Sequence, residues 1–292
     1  MRFSGALTYP RAWLMQKSAP LTVHYGRALD VHGEGLPPAS TFTVTTRHGK
    51  VRCTLQLPSD VARPPVLVHL HGGAFIMRHP RMDDFWTRCV AARAGVATVS
   101  VDYDTAPQAR YPVAQEQAYD VLEHLARHGH ELGVDGDRIG VSGFSAGGNL
   151  AAAAALQARD GGVIGPRFLL LGVPSLDVTQ TWSEKRPHGA PMLTPGILDL
   201  VRATYFRDAS RRSEPLASPL LADSLAGLPP TLVITAERDV LRREGDAFAD
   251  RLAREGTPVE HLVVPDRDHY FLDAANAGTL LPRMTAAVRK AL

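Results

Sequence analysis

The run Gly143-Phe144-Ser145-Ala146-Gly147, continued by Gly148-Asn149, sets a serine between glycines where a strand-like pattern gives way to a helix-forming one. Arg138 to Ser142 reads as a short buried strand, and the alanine-rich run Leu150 to Leu156 reads as helix. A turn this sharp leaves no room for side chains at the flanking positions, so glycine is required there and the serine oxygen is thrust outward. Ser145 is therefore the candidate nucleophile. A serine hydroxyl is a weak nucleophile near neutral pH and needs a base in hydrogen-bond reach, oriented in turn by an acid. In a strand–elbow–helix site the acid and then the histidine follow the serine along the chain. Only His188, His261 and His269 do so. His188 falls in a polar stretch and His261 inside a strand pattern, whereas His269 lies in the loop Pro265 to Phe271 directly after the last strand. His269 is the expected base. The acid belongs on the loop after the preceding strand, where Asp239 is favoured and Glu237 is the alternative. Asp266 and Asp268 are too near the base in sequence, and Asp239 also suits an N-cap for the helix that follows.

An acyl-transfer intermediate carries an oxyanion that needs preorganised backbone donors. His71-Gly72-Gly73-Ala74-Phe75 follows the strand pattern Val66 to Leu70. The N–H groups of Gly73 and Ala74, with that of Ala146, are the expected donors. A plain tight turn is the alternative for the glycine pair, and its coincidence with the elbow argues against that.

These loops require a sheet to hold them. Phe42 to Thr46 and Val51 to Leu57 alternate apolar and polar residues around Arg47-His48-Gly49-Lys50, a hairpin pattern with one wet face. Val66–Leu70, Val96–Val101, Arg138–Ser142, Phe168–Leu171, Thr231–Thr235 and Val259–Val264 are nearly continuous apolar runs, as in parallel strands covered on both faces. Helix-period segments lie between them at roughly 83–94, 113–128, 146–158, 241–255 and 275–291, so the fold class is α/β with a mostly parallel sheet. Residues 1–40 read as irregular, with Trp13, Leu14 and Met15 as packing anchors. Residues 178–215 interrupt the alternation, with Thr194-Pro195-Gly196 opening a short helix through Phe206. A single domain is expected, capped by the 1–40 segment and the 178–215 insertion, because an insertion after a strand of such a sheet falls beside the site.

With 32 basic against 30 acidic residues, the net charge of +2 gives no field suited to nucleic acid or an anionic surface. Cys53 and Cys89 lie far apart and suggest neither a disulfide framework nor a metal knuckle. The start of the chain lacks a signal-peptide core and no stretch approaches a membrane span, so a cytoplasmic protein is expected. His124, His128 and His130 read as a solvated helix end, Asp135-Gly136-Asp137 as a turn, and the glycines around 140–148 do not have dinucleotide-loop spacing. No metal and no cofactor are expected.

His71-Gly72-Gly73-Ala74-Phe75, Val101-Asp102-Tyr103-Asp104-Thr105-Ala106-Pro107, the elbow, Ser218-Pro219-Leu220, Glu237-Arg238-Asp239-Val240-Leu241-Arg242 and Asp268-His269-Tyr270-Phe271 occur in the order seen in one family. The chain resembles the hormone-sensitive-lipase-like carboxylesterases, which include the bacterial acetyl esterases, over residues 60–292. The resemblance implies the α/β-hydrolase fold, a Ser145–Asp239–His269 triad, an oxyanion loop of Gly72, Gly73 and Ala74, and Asp102 holding the loop around His71. The family usually has an acidic residue where Phe144 stands, arginine where Asp104 stands and glutamate where Gln108 stands. Those departures bear on substrate class. A serine carboxylesterase for short- to medium-chain acyl or aryl esters is expected. An arylformamidase or amidase, a feruloyl or acetylxylan esterase, and a non-catalytic receptor of the same fold are the alternatives. Phe75, Phe144, Trp182, Tyr205, Phe206 and Tyr270 are candidates to line the substrate pocket. A small-molecule ester is the expected partner, and a homodimer is admitted.

Overall fold

The computed structural model of the chain describes residues 7–23, 29, 35–162, 164–185, 189 and 191–292. His188 and the residues before Leu7 lie outside these. One eight-stranded sheet runs in the order β1-β2-β4-β3-β5-β6-β7-β8. Its strands are β1 (Ser40–Thr46), β2 (Gly49–Gln56), β3 (Pro65–Leu70), β4 (Ala97–Asp102), β5 (Asp135–Phe144), β6 (Phe168–Gly172), β7 (Thr231–Ala236) and β8 (Val259–Val264). The β1–β2 hairpin is antiparallel, β2 pairs antiparallel with β4, and every later pairing is parallel. Asp135-Gly136-Asp137, expected as a turn, instead opens β5, because Asp135 N–H donates to Pro64 O at 2.9 Å and draws the segment into the sheet.

The helices are α1 (Thr8–Thr22), α2 (Asp84–Ala94), α3 (Val113–His128), α4 (Ala146–Gly161), α5 (Pro195–Thr204), α6 (Arg242–Arg254) and α7 (Ala277–Ala291). Successive strand residues face opposite sides, so the core divides in two. Val66, Val68 and Leu70 of β3 join α3, α4 and α6 on one face, while Leu67 joins Trp86 of α2 and Leu281 and Met284 of α7 on the other. Among the described residues no helix is long and apolar enough to cross a membrane.

The first forty residues are not wholly irregular. The buried positions of α1 are Ala12, Gln16 and Ala19, two small residues and one polar, so the helix shows almost no apolar stripe. Of the expected anchors, Trp13 and Leu14 are exposed, and Met15 packs only partly against the core. A polar clasp holds the helix instead: Gln16 Nε2 donates to Thr105 Oγ1 (2.9 Å), Ala106 O (3.0 Å) and Gln108 Oε1 (2.7 Å). The second departure, Asp104, pairs with Arg78 at 3.0 Å and accepts from Gln117 Nε2 at 2.8 Å. Helix α5 begins at Pro195 after Thr194, whose hydroxyl makes no capping bond, and it ends before Tyr205.

Candidate active site

The order of the strands places the site. Strand β4 lies on one side of β3 and β5 on the other, so the chain reverses direction of progress there and a crevice opens at the carboxyl ends of β3 and β5. Leu70 and Gly143 are register partners, which makes the His71–Phe75 loop and the Ser145 turn leave the sheet side by side. Ala236 and Val264 are likewise partners, so the loops carrying Asp239 and His269 emerge together.

The elbow is as tight as its glycines imply. A Cβ on Gly143 would stand 2.0 Å from Gly147 O, and one on Gly147 would stand 1.8 Å from Leu70 O. Ser145 itself is held at φ 56°, ψ −117° at the start of α4. Ala74 and Phe75 also have positive φ, 54° and 57°. Such backbone costs about 1–3 kcal/mol per residue and persists only where surrounding contacts enforce it.

Ser145 Oγ lies 2.8 Å from His269 Nε2, and His269 Nδ1 lies 2.8 Å from Asp239 Oδ2. Because a carboxylate only accepts, Nδ1 carries the ring proton and Nε2 is left to accept from the serine. Asp239 is fixed in turn, its Oδ1 accepting from Leu241 N–H at 3.0 Å. Burial alone would push the His269 imidazole down, but Asp239 beside it, with Asp268 and Glu244 behind, prevails and its pKa is raised above 6.5. Glu237 is turned elsewhere, accepting from Asp266 N–H at 2.7 Å. Asp268 accepts from the His269 and Met192 N–H groups, and His261, on β8, is bound to Thr235 of β7 and Asp246 of α6.

The N–H groups of Gly73, Ala74 and Ala146 have no protein acceptor among the described residues. Gly72 differs: its N–H donates to Asp83 Oδ2 at 3.3 Å, so it anchors the loop and is not a free donor. Asp83 also takes His69 Nε2 at 3.0 Å, and His69 Nδ1 meets Ser142 Oγ at 2.9 Å. Asp102 is bonded to that loop through Arg78, accepting from its Nε at 2.6 Å, and not at His71 itself. Tyr103 takes that place, its hydroxyl donating to His71 O at 2.7 Å and its ring stacking on the imidazole at 4.3 Å. Burial lowers His71 to about 4, so the ring is neutral at pH 7 and its Nδ1–H donates to Gly72 O at 2.6 Å.

Two cavities meet at Ser145, sharing Ala74, Leu193 and Ile197 in their walls. The larger, about 250 Å³, is lined by His269, Phe144, Tyr270, Met82 and, from the N-terminal segment, Met15 and Val23. The smaller, about 60 Å³, is lined by Phe75, Ala146, Val178, Val201 and Lys185. Phe144 packs edge-on to His69 and Phe271, where an acidic side chain would find an aromatic wall. Trp182 lines neither cavity, and neither do Tyr205 and Phe206. The last two are fully buried behind Phe75, which stacks on Tyr205 at 5.0 Å and meets Phe206 edge-on at 4.9 Å. Tyr205 Oη donates to Gln115 Oε1 and accepts from Ala114 N–H, so its polar tip is turned inward.

Sequence reasoning missed Asp83, Lys185 and Glu244. Asp83 precedes a helix and reads as a cap, and nothing local ties it to Gly72. Lys185 and Glu244 look like solvated charges but form a buried pair at 3.0 Å, with Lys185 Nζ also on Asp177 O (3.2 Å) and Glu244 Oε2 on Asp177 N–H (2.6 Å).

A family model for the alpha/beta hydrolase fold matches residues 67–273. An arylesterase of Saccharolobus solfataricus is 32% identical over 226 residues, which are 77% of this chain and 74% of that protein. An ethyl acetate hydrolase of Pseudomonas putida is 31% identical over 246 residues, 80% of this chain and 75% of that one. Among solved structures, an esterase of Pyrobaculum calidifontis superposes with a TM-score of 0.86 at 30% identity, covering 99% of this chain and 94% of that one.

Proposed function

Since this chain belongs to the α/β-hydrolase fold family, in its hormone-sensitive-lipase-like branch of ester-hydrolysing enzymes, we propose that Ser145, His269 and Asp239 perform the hydrolysis through an acyl-enzyme. The observation that carries this reading is the unbroken series Ser145 Oγ, His269 Nε2, His269 Nδ1, Asp239 Oδ2, each link 2.8 Å. His269 Nε2 takes the Ser145 proton as Oγ attacks the acyl carbon. The carbonyl oxygen becomes an oxyanion and is received by the N–H groups of Gly73, Ala74 and Ala146, whose lack of protein acceptors among the described residues leaves them preorganised for it. The imidazolium, stabilised by Asp239, protonates the departing alkoxide. Water then enters, gives a proton to Nε2 and attacks the acyl carbon, and collapse of the second intermediate returns the proton to Ser145.

The two cavities divide the ester. The leaving oxygen must meet the proton on His269, and only the larger cavity is walled by His269, so the alcohol or phenol lies there. The acyl group then occupies the smaller cavity. At about 60 Å³ against about 250 Å³ it is the tighter of the two, which supports short acyl chains. The ethyl acetate hydrolase among the relatives agrees with that preference. Residues 1–40 and 178–215 act as a cap, supported by Met15, Val23, Leu193 and Ile197 in the cavity walls. Cytoplasmic residence is in keeping with two buried free cysteines, Cys53 and Cys89, and pairing of two copies would use the free edge of β8.

The test combines labelling and turnover. A fluorophosphonate should label one serine per chain in the wild-type protein and none in Ser145→Ala, with hydrolysis of 4-nitrophenyl acetate lost in parallel. Labelling that survives in a folded Ser145→Ala protein would refute the assignment.

A further inference from the structure

The smaller cavity beside Ser145 is walled mostly by apolar side chains, yet Lys185 forms part of its lining and is itself 5% exposed. A buried ammonium is costly unless its protons are satisfied. Lys185 Nζ carries three donors, and two are used, on Glu244 Oε1 at 3.0 Å and Asp177 O at 3.2 Å. The third proton has no protein acceptor among the described residues. Ordinary packing would satisfy it or replace the lysine by an apolar residue. Here Lys185 borders the space that receives the acyl group, on the reading of the two cavities given above.

We propose that this cavity selects short acyl groups carrying a neutral hydrogen-bond-accepting oxygen, such as an ether, ketone or hydroxyl, and that Lys185 is the residue that recognises it. Neutrality follows from the charges around the cavity. Above pH 7, where Glu244 is ionised, Lys185 and Arg202 are matched by Glu244 and Asp177, so a further buried anion would meet no net positive charge. Arg202 spends Nε and Nη2 on the carbonyls of Val178, Thr179 and Gln180, and Asp177 accepts from Thr179 and Gln180. A purely aliphatic acyl chain would cover the free ammonium proton without bonding it. An oxygen in its place bonds it, so discrimination should resemble that of other sites built to bond a polar group.

The test compares isosteric pairs of 4-nitrophenyl esters, butyrate with methoxyacetate and pentanoate with 3-methoxypropionate, each rate divided by that for alkaline hydrolysis to remove intrinsic reactivity. In the wild-type protein kcat/KM should favour at least one oxygenated member by about tenfold, the worth of a hydrogen bond to a charged group. Lys185→Met should bring that ratio close to one. Because Lys185→Met leaves Glu244 unpaired, the double variant Lys185→Met/Glu244→Gln serves as well, with folding verified by circular dichroism. A wild-type ratio near one for both pairs, or a ratio unchanged in a folded variant, overturns the proposal. Wild-type turnover of the acetate separates the two readings: with acetate hydrolysed and the ratios flat, the recognition by Lys185 fails and the esterase assignment stands.

Discussion

Replacing Asp239 by asparagine tests the site at its least visible member. The Asp239 side chain is almost wholly buried, with Oδ1 on the Leu241 N–H at 3.0 Å and Oδ2 on His269 Nδ1 at 2.8 Å. An asparagine in the same place must keep its oxygen on Leu241 N–H, which leaves its NH2 group facing Nδ1. Two donors cannot face each other, so the ring proton moves to Nε2, the atom that has to accept from Ser145. The base is then in the wrong tautomer although every heavy atom is in position. The expected fall in kcat is ~10⁴-fold, a barrier increase of about 5.5 kcal/mol. The pH profile gives a second readout. With Asp239 present, His269 titrates above its ordinary 6.5, so turnover rises as pH climbs through that raised value. Without the carboxylate, burial is less opposed and the limb of the residual activity moves to lower pH. The assay is kcat and KM on 4-nitrophenyl acetate from mildly acidic to mildly alkaline pH, with circular dichroism to show the fold intact. A variant keeping more than about a tenth of wild-type kcat would refute the tautomer argument. So would a limb that does not move. Linkage adds a contrast. A raised histidine stabilises the fold fully below 6.5 and ceases to as pH passes its folded value, so over that interval this contribution falls while activity rises.

Three further outcomes are expected. Gly147→Ala puts a Cβ 1.8 Å from Leu70 O, and backbone cannot yield that far, so the variant should be insoluble or melt far below wild type in a thermal scan. A variant with wild-type melting would contradict the packing described. Burial raises Glu244 to about 7, against the pull of Lys185, so its contribution to stability is complete below 4.5 and is lost as pH rises through about 7. Glu244→Gln should flatten that part of the curve of melting temperature against pH, and an identical slope would count against the burial. Gln16→Ala removes the clasp between α1 and residues 105–108, at a cost of about 1–3 kcal/mol. It should raise KM for bulky aryl esters more than it lowers kcat, and proteolysis should cut the N-terminal segment first.

The parts of the site that could be read in advance are those where local chemistry leaves one option. The elbow needs glycine wherever a Cβ would strike backbone, and apolar runs with helix-period segments between them make a covered parallel sheet. The bounds of α2, α3 and α6 fall within a residue or two of the pattern reading. Helix α1 escaped because its buried face is Ala12, Gln16 and Ala19, which carries no apolar period. The pocket candidates divided for a similar reason. Aromatic type says that a residue will be buried, not which side of a wall it occupies, so Phe75 and Phe144 reach the cavities while Tyr205 and Phe206 stand behind Phe75.

From residue types and their spacing alone came the chemistry class, the α/β order and the loops on which nucleophile, base and acid reside. Those features follow from backbone sterics and from a serine's need for a base, both local or ordered along the chain. Tertiary structure alone decided which charges meet. Asp83 reaches Gly72, Gln16 reaches Thr105, and Lys185, in the wall of a 60 Å³ cavity, finds Glu244 across 59 residues of sequence. Such pairings depend on where separate loops and helices come to rest against one another, and a charged side chain carries no mark of whether water or another loop will cover it.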